Sequence, residues 1–388
     1  MKAVDETDAA PLLFIHSSNE MYGADKILLQ VIETLPDSER ERVVVWLPDD
    51  VRPAVNCLAD ELARRKIKHE VKSLPIIRRR YLSLRYSVVL TRSMARLRRD
   101  IATMRPRMVY LTTSATLLGA CVARLSGVRQ IIFHCQEIWA HPESLALGAL
   151  AVPVTSCVCI SDAARDSLRG PVRKRSQVIL NGVPDSDRPL VSLEAQTGPL
   201  RFLVASRWNG WKGHGTLLEA WDTPTPIGEL CIAGGPPEIG QAVDVPRLVA
   251  ELSHPESIHV LGEVKDISSL IDDSDFVLVP SDEPEPFGLV AIEAFARGRA
   301  VIASDGGGLA DIVESGLSGQ LFPPRDSGAL RASLLDLDRA EACRMGDAAR
   351  KVFESHYSIQ VFAHRFGEFW LVSLPPLDRP RRRSVSAD

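Results

Sequence analysis

The chain has 388 residues, 45% apolar and 25% charged, with a formal net charge of −4. At about 150 residues per domain this is two or three domains, long enough to bury a core without disulfide staples. The profile is that of a soluble globular protein, and no apolar run reaches the 18 residues a membrane-spanning helix needs.

The longest candidate, residues 145–160, is interrupted by Pro153, Thr155 and Ser156. The N-terminus carries Asp5 and Glu6 where a secretion signal would be basic and then apolar. Seven cysteines, an odd number with no C-x-x-C pair, speak for a reducing compartment and against a zinc site. A cytoplasmic protein is expected. Its charge is unevenly divided: residues 1–190 sum to +7 and the remainder to −11. Residues 64–107 hold 15 Lys and Arg against only Glu70 and Asp100, so an anionic surface or ligand is expected to face that stretch.

Short β-rich runs recur along the chain at 12–16, 43–47, 69–74, 108–112, 130–134, 155–160 and 177–180, then at 200–206, 229–233, 257–261, 276–280, 300–304 and 320–322. Most are continuously apolar, as parallel strands covered on both faces should be. Helical patterns at 24–35, 88–104, 215–221 and 289–297 lie between them. Strand and helix taking turns in this way predicts an α/β chain of two doubly wound domains. The polar, Pro- and Gly-punctuated stretch 185–199 reads as their boundary. The expected organisation is a first domain over 1–188, a second over 189–356, a closing helix over 357–374 and a basic tail over 375–388. That tail lacks an apolar pattern and is expected to be disordered. Such sheets bind ligands beyond the carboxyl ends of their strands, and two facing domains would frame a cleft there.

The segment 275–313 carries the most chemistry. A buried strand ending at Pro280 is followed by a polar loop with Glu285-Pro286-Phe287-Gly288, and then by a helix from Leu289 closed by Gly298. The N–H groups of Gly288 and Leu289 would sit at a helix N-terminus, a ready phosphate site. Glu285 and Glu293 could accept hydrogen bonds from paired sugar hydroxyls, although acids near a helix start also offset its dipole. Arg207 ends a strand and Lys212 follows in a Trp-Asn-Gly-Trp loop, so both can meet a diphosphate, which needs fixed cations or a divalent metal. Gly306-Gly307-Gly308 would let backbone approach a ligand, or form a simple turn. Three D-x-D pairs, Asp185/Asp187, Asp273/Asp275 and Asp336/Asp338, lie in a linker, before a strand and in a helical stretch; none follows a strand as a metal pair should.

Glu285 and Glu293 resemble the E-x7-E signature of retaining GT-B glycosyltransferases, in particular the nucleotide-sugar-dependent family 4. The resemblance extends to Val204-Ala205-Ser206-Arg207 with Trp211-Lys212-Gly213, to the segments 232–238 and 259–264, and to Tyr22-Gly23-Ala24-Asp25-Lys26. It also takes in Ile160-Ser161-Asp162-Ala163-Ala164-Arg165 and the segment 178–183, covering roughly residues 12–325 in order. It implies a GT-B fold with an acceptor-binding first domain, a donor-binding second domain and a closing helix that crosses back to the first. The reaction implied is sugar transfer, with retention, from a nucleotide diphosphate to a saccharide or lipid-linked acceptor, in cell-envelope or exopolysaccharide synthesis.

Arg207 and Lys212 would hold the diphosphate and Glu285 with the amides near Gly288 the sugar. Glu293 would hold the ribose, with Gly23, Phe287 and Leu289 completing the donor site. His134, at a strand end, would contact the donor sugar or orient the acceptor, or else be structural; Glu137 and His16 are weaker candidates. Asp311 stands where the family has Glu. No cofactor and no metal are expected. The alternatives are a non-catalytic sugar-nucleotide or polysaccharide-binding protein, or a nucleotide-sugar epimerase.

In the basic stretch, Arg78, Arg79, Arg80, Arg85, Arg92, Arg96, Arg98 and Arg99 cluster around a helical pattern bearing Val88, Val89, Leu90, Met94, Leu97 and Ile101. A basic amphipathic helix adsorbs to anionic membranes, which suits lipid-linked acceptors at the inner face of the plasma membrane. A solvated face with salt bridges to the acidic half is the other reading. Nucleic acid is not expected, because Tyr81 and Tyr86 are the only aromatics of the stretch.

Overall fold

A computed structural model describes residues 10–50, 57–78, 84–194, 196–237 and 242–374. The N-terminal residues, Arg79, Arg80 and Tyr81 of the basic stretch, Glu238 and the tail 375–388 lie outside the described residues.

Among the described residues, thirteen parallel strands form two sheets. The first sheet contains β1 (Leu12–Ile15), β2 (Val43–Pro48), β3 (Lys68–Lys72), β4 (Met108–Leu111), β5 (Gln130–Cys135), β6 (Ser156–Cys159) and β7 (Ser176–Val178), in the order β3-β2-β1-β4-β5-β6-β7. The second contains β8 (Arg201–Ala205), β9 (Glu229–Ala233), β10 (Ile258–Gly262), β11 (Phe276–Val279), β12 (Ala300–Ser304) and β13 (Gly319–Phe322), in the order β10-β9-β8-β11-β12-β13. The central strands are buried along their whole length, Leu12 to Ile15 and Phe276 to Leu278 among them, because helices cover both faces. In each sheet the order of strands reverses once, between β1 and β4 and between β8 and β11. At such a switch point neighbouring loops leave in opposite directions and open a crevice for ligand.

The chain forms two compact units. The first takes the residues up to Cys159, Arg165–Ile179 and the residues from Ala363 onward; the second takes Ile160–Ala164 and Leu180–Phe362. The stretch 185–199, read from the sequence as a boundary, is held within the second unit. Asp185 pairs with Arg350, Leu193 enters the core, and the Arg299 guanidinium donates to the Val191 carbonyl (3.0 Å).

The helix Ile359–Ser373 ends in the first unit, where the Trp370 indole N–H donates to Thr34 Oγ1 (2.9 Å) and its ring lies 5.8 Å from that of Tyr110. All seven cysteines carry free thiols. Among the described residues no helix is long and apolar enough to cross a membrane.

Helix Leu84–Met104 corrects part of the sequence reading. Leu97 and Ile101 are buried and Val88, Val89, Arg92, Arg96, Arg98 and Arg99 are exposed. Burial contributes about 1.5–3 kcal/mol for each such aliphatic side chain, so Leu97 and Ile101 serve the core, while Val88 and Val89 stay at the surface. Much of the remaining basic stretch is neutralised locally: Arg64 and Arg65 by Glu61, Lys72 by Asp100, Arg78 by Asp50 and Arg107 by Glu39. These partners all belong to the first unit, not to the acidic half.

Candidate functional site

At the switch point of the second sheet, the loop after β8 tightens into a 3₁₀ turn, Gly210–Lys212, before helix His214–Trp221. The loop after β11 runs through Ser281 and Glu285 to Gly288, which caps helix Leu289–Ala296. The two loops meet at a cation and a carboxylate. Lys212 Nζ donates to both oxygens of Glu285 at 2.9 Å, and Ser281 Oγ donates to Glu285 Oε2 at 2.8 Å. The Lys212 ammonium also lies 4.2 Å from the centre of the Trp211 ring, a cation–π contact that fixes its direction. Glu285 is 9% exposed as a residue, so its charge is poorly screened but reachable.

Two glycines bring these loops together. Gly213 has φ 73°, and a Cβ there would stand 1.7 Å from the Pro280 carbonyl oxygen, so only glycine lets the Lys212 loop close on the strand that leads to Glu285. Gly307 has φ 65°, and its Cβ would lie 2.1 Å from the Glu285 carbonyl oxygen. The next amide, Gly308 N–H, donates to that oxygen at 2.7 Å. The close approach that the triple glycine permits is therefore to the backbone of Glu285 itself. Asp282 extends the network, accepting from Thr216 Oγ1 (2.7 Å) while its N–H donates to the Trp211 carbonyl (2.8 Å). Ser161, in the short segment Ile160–Ala164 that joins this unit, donates to the Pro286 carbonyl (2.7 Å).

The other donor candidates take distinct positions. Arg207 is exposed, two residues beyond β8. Leu289 is the first residue of the helix and Glu293, partly buried, lies four residues on. The Phe287 side chain is buried against Tyr357, with ring centres 6.1 Å apart, so only its backbone faces the loop. Asp311 is exposed on helix Leu309–Ile312. His214, beside Lys212, is buried, and its pKa is lowered to about 4 by burial and then by the Lys212 charge. It stays neutral at ordinary pH.

Gly23 and His134 belong to the first unit. Gly23 opens helix Gly23–Glu33. His134 is 1% exposed, its Nδ1 is 3.0 Å from the Tyr110 hydroxyl, and the Phe366 ring packs edge-on 5.9 Å away. Burial lowers its pKa to about 3. His134 therefore lies in the core of the first unit under the closing helix, on a strand buried on both faces, and is held neutral there.

The first sheet's switch point is instead occupied by His16. Its Nε2 donates to Asp25 Oδ1 (2.9 Å), its Nδ1 is 2.5 Å from Thr112 Oγ1, and Asp25 Oδ2 accepts from the Tyr22 N–H (3.0 Å). Glu137 accepts from the Ser114 hydroxyl (2.8 Å) and amide, and burial raises its pKa. Ser281 had no signal of its own in the sequence, and Ser161 only its place in the resembling segment 160–165. Their partners come from loop geometry, and a serine directly after a buried strand was the only other hint.

Residues 188–352 match the family Glycosyl transferases group 1. Glycogen synthase of Mycobacterium tuberculosis is 30% identical over 287 residues, spanning 70% of this chain and 65% of that protein. An exopolysaccharide phosphotransferase of Streptomyces coelicolor is 28% identical over 72% of this chain and 30% of its own length. The chain thus spans less than two thirds of these relatives. The crystal structure of Anabaena HepE in complex with UDP and glucose superimposes with a TM-score of 0.75 at 20% identity, covering 94% of this chain and all of that one. Two doubly wound sheets of seven and six parallel strands are the GT-B architecture. Residues 188–352 are accordingly a glycosyl transferases group 1 domain, carried by a chain with the GT-B fold.

Proposed function

We propose that the protein is a retaining glycosyltransferase of the family 4 type. It moves a sugar from a nucleotide diphosphate to a saccharide or lipid-linked acceptor, in cell-envelope or exopolysaccharide assembly. The observation that carries this reading is the Lys212–Glu285 pair at the switch point of the second sheet, inside the segment that matches the group 1 family. A diphosphate leaving group gains charge as the glycosidic bond breaks. Arg207, Lys212 and the amides at Gly288 and Leu289 are the groups that meet it. Glu285 accepts hydrogen bonds from sugar hydroxyls and Glu293 from the ribose. Retention is assigned to front-face substitution, in which the departing phosphate assists the incoming hydroxyl.

These fixed cations take the place of a metal in the reading. One aspartate of each candidate pair is committed elsewhere: Asp185 to Arg350, Asp275 to Arg339 and the Arg201 amide, and Asp338 to the cap of helix Arg339–Val352. Because HepE was crystallised with UDP and glucose, uridine donors come first in the test. Arg92, Arg96, Arg98 and Arg99 supply the charge for contact with an anionic membrane at the cytoplasmic face, beside the exposed Val88 and Val89.

A thermal-shift screen against UDP, GDP, ADP and dTDP sugars, followed by turnover with and without EDTA, tests the proposal. Stabilisation by one nucleotide series and EDTA-resistant transfer are expected. Turnover abolished by chelation and restored by manganese overturns the metal-free reading. Binding without turnover, or an epimerised product, overturns the transferase.

A further inference from the structure

We infer that the Lys212–Glu285 pair makes the site favour a nucleotide sugar over the bare nucleoside diphosphate left after transfer; this rests on the donor reading above. Both Glu285 oxygens are taken by the same ammonium at 2.9 Å, and Ser281 Oγ holds one of them at 2.8 Å. The carboxylate therefore cannot swing away from whatever Lys212 binds. Its partner is also fixed, by the Trp211 ring at 4.2 Å and by Gly213, whose closeness to Pro280 locks the loop. A diphosphate that reaches Lys212 must then lie beside a carboxylate with only acceptor atoms to offer.

With the sugar attached, the distal phosphate is a diester bearing one charge, and sugar hydroxyls stand next to it as donors for Glu285. Once the sugar has left, the same phosphate bears about two charges at neutral pH and brings no donor. Two like charges then face each other where Glu285 is largely shielded from water, and the Lys212 ammonium is shared between them. Like-charge juxtaposition of this kind is penalised by several-fold to many-fold in affinity. Glu285 thus positions the sugar of the incoming donor and also repels the spent nucleotide. Ser281 is a positioning residue for it.

Calorimetric titration with UDP, GDP, ADP and dTDP and with their glucose esters tests this on the full chain. For the base that binds, Glu285→Gln should tighten the bare diphosphate on the order of tenfold and weaken the glucose ester, reversing the preference. Ser281→Ala keeps both charges and removes one of the bonds that hold the carboxylate. It should shift the same ratio in the same direction by a smaller factor, and it supplies the test if Glu285→Gln unfolds early in a thermal melt. A Glu285→Gln protein that binds the bare diphosphate no more tightly than the wild type, or a Ser281→Ala ratio equal to wild type where Glu285→Gln cannot be purified, overturns the inference and leaves the donor site standing. If none of the four diphosphates and none of their esters binds the wild type, the donor site itself is wrong and the inference falls with it.

Discussion

The two switch points are built alike and finished differently. In the first sheet His16, directly after β1, is bonded on both ring nitrogens, to Asp25 and Thr112, and its side chain and that of Asp25 are 0% and 2% exposed. In the second sheet Lys212 and Glu285 follow β8 and β11, and their side chains keep 19% and 11% exposure. A polar chain with every bond made and no surface can hold loops together, but it has nothing to offer a ligand. A pair that satisfies itself at the edge of solvent can exchange one partner for another. On the proposed reading, the difference separates a polar cluster that holds loops together from one that meets a ligand.

The largest effect that sharpens this comparison should come from the second switch point. Lys212→Ala should lower kcat by about 10²-fold or more, the scale of removing an oriented electrostatic group, while the midpoint of thermal unfolding stays close to wild type. Steady-state kinetics beside a melting curve measures both. Activity within a few-fold of wild type would remove Lys212 from the mechanism. Gly213→Ala should act through the same pair, because its Cβ meets the Pro280 carbonyl and forces the two loops apart. Loss of activity together with lower stability is expected there.

At the first switch point the order is reversed. Asp25→Ala leaves a buried imidazole N–H and the Tyr22 amide without their acceptor, at a cost of about 1–3 kcal/mol for such a group. Chemical denaturation should show that loss, whereas kcat of the folded fraction should change little. A large fall in kcat at unchanged stability would reverse the roles assigned to the two pairs.

A smaller effect concerns pH. His134, with a folded pKa of about 3, and His214, at about 4, are held neutral by burial, whereas an exposed histidine titrates near 6.5. The unfolded chain therefore takes up protons that the folded chain refuses, and their contribution to stability is complete above about pH 6.5 and is lost as pH falls toward 4 and then 3. His134→Asn removes one of these groups and should flatten the fall of melting temperature between pH 6.5 and 4. A slope identical to wild type there would show that His134 titrates normally. The smallest effect is expected at the surface: Arg92→Glu with Arg96→Glu should weaken binding to anionic vesicles by about 1 kcal/mol per arginine removed, more at low salt.

Much was legible before any coordinates. The thirteen strands of the described residues overlap the β-rich runs; most are apolar throughout because helices cover them on both faces, while the edge strand β3, Lys68–Lys72, is polar and largely exposed. Glu285 and Lys212 were also marked, since chemistry in such sheets has to follow the strands. Three readings needed the tertiary structure. Whether Leu97 and Ile101 face lipid or core depends on which neighbour covers the helix, and a helical stripe looks the same in either case. That His134 is buried depends on the closing helix, which brings Phe366 to it from more than two hundred residues away. That the triple glycine receives the Glu285 backbone depends on which loop packs beside it. Local pattern is written in the spacing of side chains along the chain and so survives in the sequence alone. Which polar group ends up partnered, and by what, is decided when distant loops meet, because hydrogen bonds and ion pairs act over a few ångströms of space and take no account of separation along the chain.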